Sequence, residues 1–205
     1  MALKVLGIST SPRKGGNSDL LLRQALAGAE SAGARVECLR LCDFDIGLCT
    51  ECNCCYSSGI CRLEDDYQQV LEKMLHTDRL ILATPIFFMA VCAQAKILID
   101  RGQSLWALKH VIEKDIVADQ PNRRAMVIAV GGSKSTKQFE GVRLTMKAYF
   151  DVLDFHYAFN LFVGRVDAFG AITRHPSALR EALRLGRELA SAETPPDKTM
   201  NVELF

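Results

Sequence analysis

The chain has 205 residues, 49% apolar and 24% charged, with a formal net charge of +1. That balance excludes the basic surplus of a nucleic-acid binder and the acidic tail of a solvating segment, and the length suits one α/β domain with some extra loop. The longest apolar stretch, 80–93, is interrupted by Pro85 and ends at Gln94 and Lys96. It falls short of the roughly 20 residues that span a membrane, and the start has no cleavage pattern, so a cytoplasmic protein is expected.

In chain order, Lys4 to Ile8 predicts a strand that runs into a polar, glycine-containing loop. Leu21, Leu22, Ala25, Leu26 and Ala29 at helical spacing predict a helix over 18–32, stopped by Gly33. A strand follows over 35–41. Residues 42–62, rich in Cys, Gly, Ser and Asn, break the rhythm and read as an irregular functional loop. Next come a helix over 65–76, a buried strand over 80–84 stopped by Pro85, and one long helix over 91–112. A strand over 125–130 is closed by Gly131-Gly132, and a helix over 140–153, a strand over 155–163 and a helix over 177–192 complete the series. Five strands alternating with five helical segments predict an α/β fold: a five-stranded parallel sheet with helices on both faces. It forms a single domain over 1–192, and the tail 193–205, with Pro195-Pro196, is expected as an extended arm or disordered.

The turn after the first strand, Ser9-Thr-Ser-Pro-Arg-Lys-Gly-Gly-Asn-Ser18, opens onto a helix. A helix N-terminus offers unpaired N–H groups and a positive dipole end, which favour a phosphate. Ser9, Ser11, Asn17 and Ser18 add short donors, Arg13 and Lys14 add charge, and Gly15 and Gly16 let a ligand come close. Neither the spaced glycines of a dinucleotide site nor a Gly-Lys-Ser/Thr ending is present, so the loop suits a monophosphate such as that of FMN. The plain alternative is a turn with Ser18 as N-cap. In open α/β sheets ligands lie at the carboxyl ends of strands. Three strand-end segments, 9–18, 84–88 and 131–133, should therefore converge. Pro85, Ile86, Phe87 and Phe88 would contact the isoalloxazine ring, and the N–H groups of Gly131 and Gly132 would approach its pyrimidine edge.

Thr10-Ser-Pro-Arg-Lys-Gly-Gly-Asn-Ser18 resembles the phosphate loop of the NADPH-dependent FMN reductase family. Thr84-Pro-Ile-Phe-Phe88, followed by Gln94, Lys96, Asp100 and Arg101, is a second match. The resemblance covers most of residues 3–132. It implies a flavodoxin-like three-layer sandwich and FMN held by Ser9, Ser11, Pro12, Arg13, Asn17 and Ser18, with Thr84 to Phe88 wrapping the ring. It also implies a homodimer or homotetramer with the flavin near a subunit interface. Phe87 stands where the family commonly has Tyr, Met89-Ala90 replaces Gly-Ser, and Cys92 replaces Pro. These departures bear on the substrate pocket.

Of eight cysteines, five lie between Cys49 and Cys61. Clustered thiols in a reducing compartment point to metal or redox chemistry rather than a disulfide framework. Two-residue gaps let Cys49, Cys52 and Cys55 face one centre, and a longer gap with Gly59 lets Cys61 return; Cys54 is extra. Such thiolates suit an iron–sulfur cluster or zinc. Reduced thiols without metal, or oxidative pairing that includes Cys38 or Cys42, are the alternatives. The spacing resembles the iron–sulfur flavoprotein branch of the same family, which implies a [4Fe–4S] cluster on Cys49, Cys52, Cys55 and Cys61, with Glu64-Asp65-Asp66 following. On this reading electrons pass from a donor such as a ferredoxin through the cluster to FMN and on to a small-molecule acceptor. The alternative is a NAD(P)H-dependent reductase of flavin, quinone or azo compounds without a cluster; a flavin- or thiol-based sensor is a third possibility. No side chain need act as acid or base, and His76, His110, His156 and His175 are too scattered for a metal or triad site.

Overall fold

A computed structural model describes residues 2–117, 122–191 and 198–205. Its strands are β1 (Lys4–Ser9), β2 (Arg35–Arg40), β3 (Arg79–Phe87), β4 (Ala90–Val91), β5 (Arg124–Val130), β6 (His156–Val163) and β7 (Met200–Leu204). The sheet runs β2-β1-β3-β5-β6-β7, parallel throughout, and β4 pairs antiparallel with the end of β3. Without β4 and β7 the order is that of the flavodoxin-like doubly wound fold. All seven residues of β5 and the first six of β3 are buried, the near-continuous apolar runs that a sheet covered on both faces requires. On one face α1 (Asn17–Ser31) and α7 (Ala178–Ser191) pack Leu21, Leu22, Leu185 and Leu189 against Ile81, Ile128 and Leu161. On the other, α3 (Tyr67–Leu75), α4 (Ala93–Arg101), α5 (Gln103–His110) and α6 (Glu140–Val152) enclose Leu80, Leu82, Val127 and Phe150.

Four sequence expectations change. The sheet has seven strands rather than five, because 200–204 add a parallel strand outside β6 and 90–91 fold back on β3. Of the expected tail, 198–205 are thus partly built into the sheet, whereas 192–197 lie outside the described residues. Strand β3 does not stop at Pro85. Its pairing with β1 ends at Ala83, so on that flank Pro85 lacks a donor that no neighbour needs, and the strand continues to Phe87 beside β5. The long helix over 91–112 is two helices, broken at Gly102, where a Cβ would come within 2.8 Å of the Ile99 carbonyl oxygen and 3.0 Å of the Tyr149 ring.

The neighbouring order of β1, β3 and β5 does the positioning. Their carboxyl ends lie side by side, so the loops after Ser9, Phe87 and Val130 emerge at one edge of the sheet.

Candidate flavin cleft and cysteine concavity

A cleft opens at that edge. Ser11, Pro12, Arg13, Asn17 and Ser18 line it from the first loop, Pro85, Ile86 and Phe87 from the end of β3, and Gly131 and Gly132 from the loop after β5. The convergence expected from sequence is present. Helix α1 starts after Gly16 with no side chain capping it, leaving its first-turn N–H groups to the cleft. The Ser11 hydroxyl accepts the Arg13 N–H and Gly16 donates to the Arg13 carbonyl, which hold the loop's shape. Ser18 is 2% exposed and its hydroxyl has no partner; Ser9, 1% exposed, is the same. A buried unpaired hydroxyl costs about 1–3 kcal/mol. The Ser18 hydroxyl, which lines the cleft beside the uncapped helix start, fits an acceptor such as a phosphate.

Several predicted residues have other employment. Asn17 donates through Nδ2 to the Ala168 carbonyl (2.9 Å) and accepts the Ile172 N–H on Oδ1 (3.2 Å). Its side chain therefore ties the loop to the segment after β6 instead of pointing at a ligand. Thr84 is buried; its hydroxyl donates to the Pro85 carbonyl and accepts the Cys92 N–H, so it pins β3 to the start of α4. Ser9 does not line the cleft. The Gly131 N–H is taken by the Val163 carbonyl, leaving the Gly132 N–H as the one that could serve a ring. Phe88 does not line the cleft. With Met89 it forms the two-residue turn between β3 and β4, both at positive φ (49° and 64°), and it is 103% exposed. Sequence reasoning missed Val166, Asp167 and Phe169, which supply a further wall. They follow the strand β6, so the strand-end rule would have found them.

Residues 44–66 carry the second candidate site. Cys55 opens the short helix α2 (Cys55–Ser58), which ends at Gly59 with φ +73°, the left-handed turn that brings the chain back towards Cys61. Cys49, Cys52, Cys55 and Cys61 all line one concavity, with Arg101, Gln103 and Ser104 contributed from the α4–α5 junction. Cys54 does not; its thiol turns back to the Cys52 carbonyl at 3.7 Å. Burial pushes the Cys55 thiol up, whereas the Cys54 N–H and thiol hydrogen-bond Cys52 and lower it. All eight cysteines are free thiols. Among the described residues no three His, Cys, Asp or Glu side chains already stand at metal-holding spacing. The donor set, four soft thiols facing one concavity, fits an iron–sulfur cluster or zinc.

Arg101 anchors the loop's stem. Its guanidinium donates to Asp65 (2.5 Å), to the Gly47 carbonyl (3.0 Å) and to the Leu63 carbonyl (3.4 Å), and lies 4.5 Å over the Tyr67 ring. Burial raises the Asp65 carboxyl, but Arg101 and the N–H groups of Gly47 and Tyr67 more than offset this and hold it below the usual carboxylate range. Among the described residues no helix is long and apolar enough to cross a membrane.

Comparison with known proteins gives a consistent picture. The family profile described as NADPH-dependent FMN reductase matches residues 3–140. An iron-sulfur flavoprotein of Methanocaldococcus jannaschii is 42% identical over 103 residues, 50% of this chain and 53% of that one. The chain thus spans about half the length of that relative. An iron-sulfur flavoprotein of Methanosarcina thermophila is 29% identical over 175 residues, covering 85% of this chain and 84% of the relative. Among solved structures, a NAD(P)H:quinone oxidoreductase from Methanothermobacter marburgensis superposes with a TM-score of 0.67 at 19% identity, covering 92% of this chain and 100% of that one. At that identity the likeness concerns the fold.

Proposed function

The chain belongs to the NADPH-dependent FMN reductase family, and on that premise we propose that it is an FMN-dependent oxidoreductase of the iron–sulfur flavoprotein type. It takes electrons from a ferredoxin-like protein and delivers them to a small-molecule acceptor. The observation that carries the reading is that four cysteines, and not the fifth, face one concavity on a chain that also builds a phosphate-ready cleft at its strand ends. The iron–sulfur flavoproteins among its relatives support the same assignment.

Bound FMN supplies one- and two-electron chemistry, and a cluster supplies single electrons; the protein binds, orients and tunes them. In this chain the α1 N–H groups and the Ser18 hydroxyl hold the phosphate, with Arg13 adding charge at the rim. The Pro85–Phe87 backbone and the Gly132 N–H orient the ring, and Phe87 shields it from water. Cys49, Cys52, Cys55 and Cys61 hold the cluster. No side chain lining the cleft is required to move a proton. The exposed apolar tip of Phe87, Phe88 and Met89 beside the cleft suits association into a homo-oligomer.

The test is iron, sulfide, zinc and flavin content of anaerobically purified protein. About four irons and four sulfides per FMN are expected for a [4Fe–4S] site. Flavin without iron, together with rapid bleaching by NADPH, would replace this reading with a cluster-free NAD(P)H reductase. Stoichiometric zinc would make the cysteine loop structural.

A further inference from the structure

The inference concerns Arg101 and rests on the cluster reading just proposed. The α4–α5 break places Arg101, Gln103 and Ser104 along one side of the cysteine concavity. The Arg101 side chain is fully buried. Its partners come from both stems of the loop: Gly47, two residues before Cys49, and Leu63 and Asp65, just after Cys61. The buried Nε–H has no acceptor. Arg101 lines the concavity, whereas its counter-ion Asp65 does not. Asp65 pairs the charge, but a buried donor left without an acceptor is costly unless an acceptor faces it. A tetrathiolate-bound iron–sulfur cluster is anionic, and becomes more so by one charge when reduced.

We infer that Arg101 is a positioning residue for the cluster that also raises its reduction potential. The planar fork of an arginine bridges two chain segments at once, and its charge persists at every working pH. By closing the stem, it fixes where Cys49 and Cys61 begin and end their excursion. A fixed positive charge at the wall stabilises the reduced state, which carries the extra electron, more than the oxidised one, which is the lever that charge and hydrogen bonding near the sulfurs exert on such clusters. Asp65 holds the guanidinium in place and partly neutralises it, so the two residues pull the potential in opposite directions.

The experiment is a redox titration of the anaerobically purified holoprotein, followed by electron paramagnetic resonance, with iron and sulfide measured in parallel. The variants are Arg101→Gln, Arg101→Lys and Asp65→Asn. Removing the charge in Arg101→Gln should shift the cluster potential negative. Arg101→Lys should stay near the parent, and Asp65→Asn should shift the potential positive. Should Arg101→Gln lose its iron by loosening the loop, the Lys and Asn variants still decide the matter. A purely structural clamp would lower iron content in all three and leave the potential of the retained cluster unmoved, or move it in one direction; either result overturns the inference. Absence of iron from the parent protein would instead overturn the cluster reading itself, and this inference with it.

Discussion

Replacing Ser18 by alanine tests whether the cleft is built for a phosphate. The hydroxyl is buried at the start of α1, lines the cleft and meets no acceptor. Without ligand, deleting it removes an unpaired polar group, which should leave the apoprotein unchanged or about 1 kcal/mol more stable. With FMN bound, the same hydroxyl would donate to a dianionic phosphate, a hydrogen bond worth about 1.5–3 kcal/mol. Its loss should weaken FMN binding roughly 10- to 100-fold. Binding is read by flavin fluorescence quenching and apoprotein stability by urea unfolding. Riboflavin, which lacks the phosphate, is the control and should bind parent and variant alike. An alanine variant that binds FMN as well as the parent, or that loses FMN and riboflavin equally, would refute the assignment of this hydroxyl to a phosphate.

At Gly131 a Cβ would fall 2.1 Å from the Gln138 Oε1 and 3.2 Å from the Ile86 Cβ. Gly131→Ala should therefore dislodge Gln138 from its two hydrogen bonds with the Ser133 backbone, cost about 1–3 kcal/mol in urea unfolding and reduce FMN affinity. Cys54→Ser should retain the iron and sulfide of the parent, because the Cys54 sulfur lies outside the concavity, whereas Cys55→Ser should lose the cluster; metal analysis of both decides. The Asp65 carboxyl is held below its unfolded value, so its contribution to stability is present in full above about pH 4 and fades as pH falls through the folded value. Urea unfolding of metal-free protein should accordingly show the gap between parent and Asp65→Asn narrowing from pH 6 to pH 3, and a constant gap would contradict the ion pair.

Local pattern determined much of this protein. The apolar runs of β1, β3, β5 and β6 announce a sheet buried on both faces, because each sits between two helical layers and has no wet side to mark. The phosphate loop was legible because a helix start needs donors and small residues at fixed places, and a polar loop between an apolar strand and an amphipathic helix advertises them. The four cysteines were legible from spacing, and their sharing of one concavity follows from the short α2 and the left-handed Gly59.

Other features depend on partners far along the chain. The turn at Phe88–Met89 takes left-handed conformations without glycine, so no residue type signals it. Strand β7 is paired by β6, some forty residues earlier, and its own five residues carry no alternation strong enough to declare it. Asn17 reads as a ligand donor until the 168–172 segment arrives to claim both ends of its amide. Arg123 shows the same limit: its guanidinium lies 3.7 Å over the Phe155 ring and donates to the Met74, Thr77 and Leu153 carbonyls. Arg101 belongs with it, a cation on a helical face in sequence and the clamp of the cysteine loop in space. Sequence periodicity reports which residues leave water, but the tertiary structure alone decides which polar groups meet once they have left it.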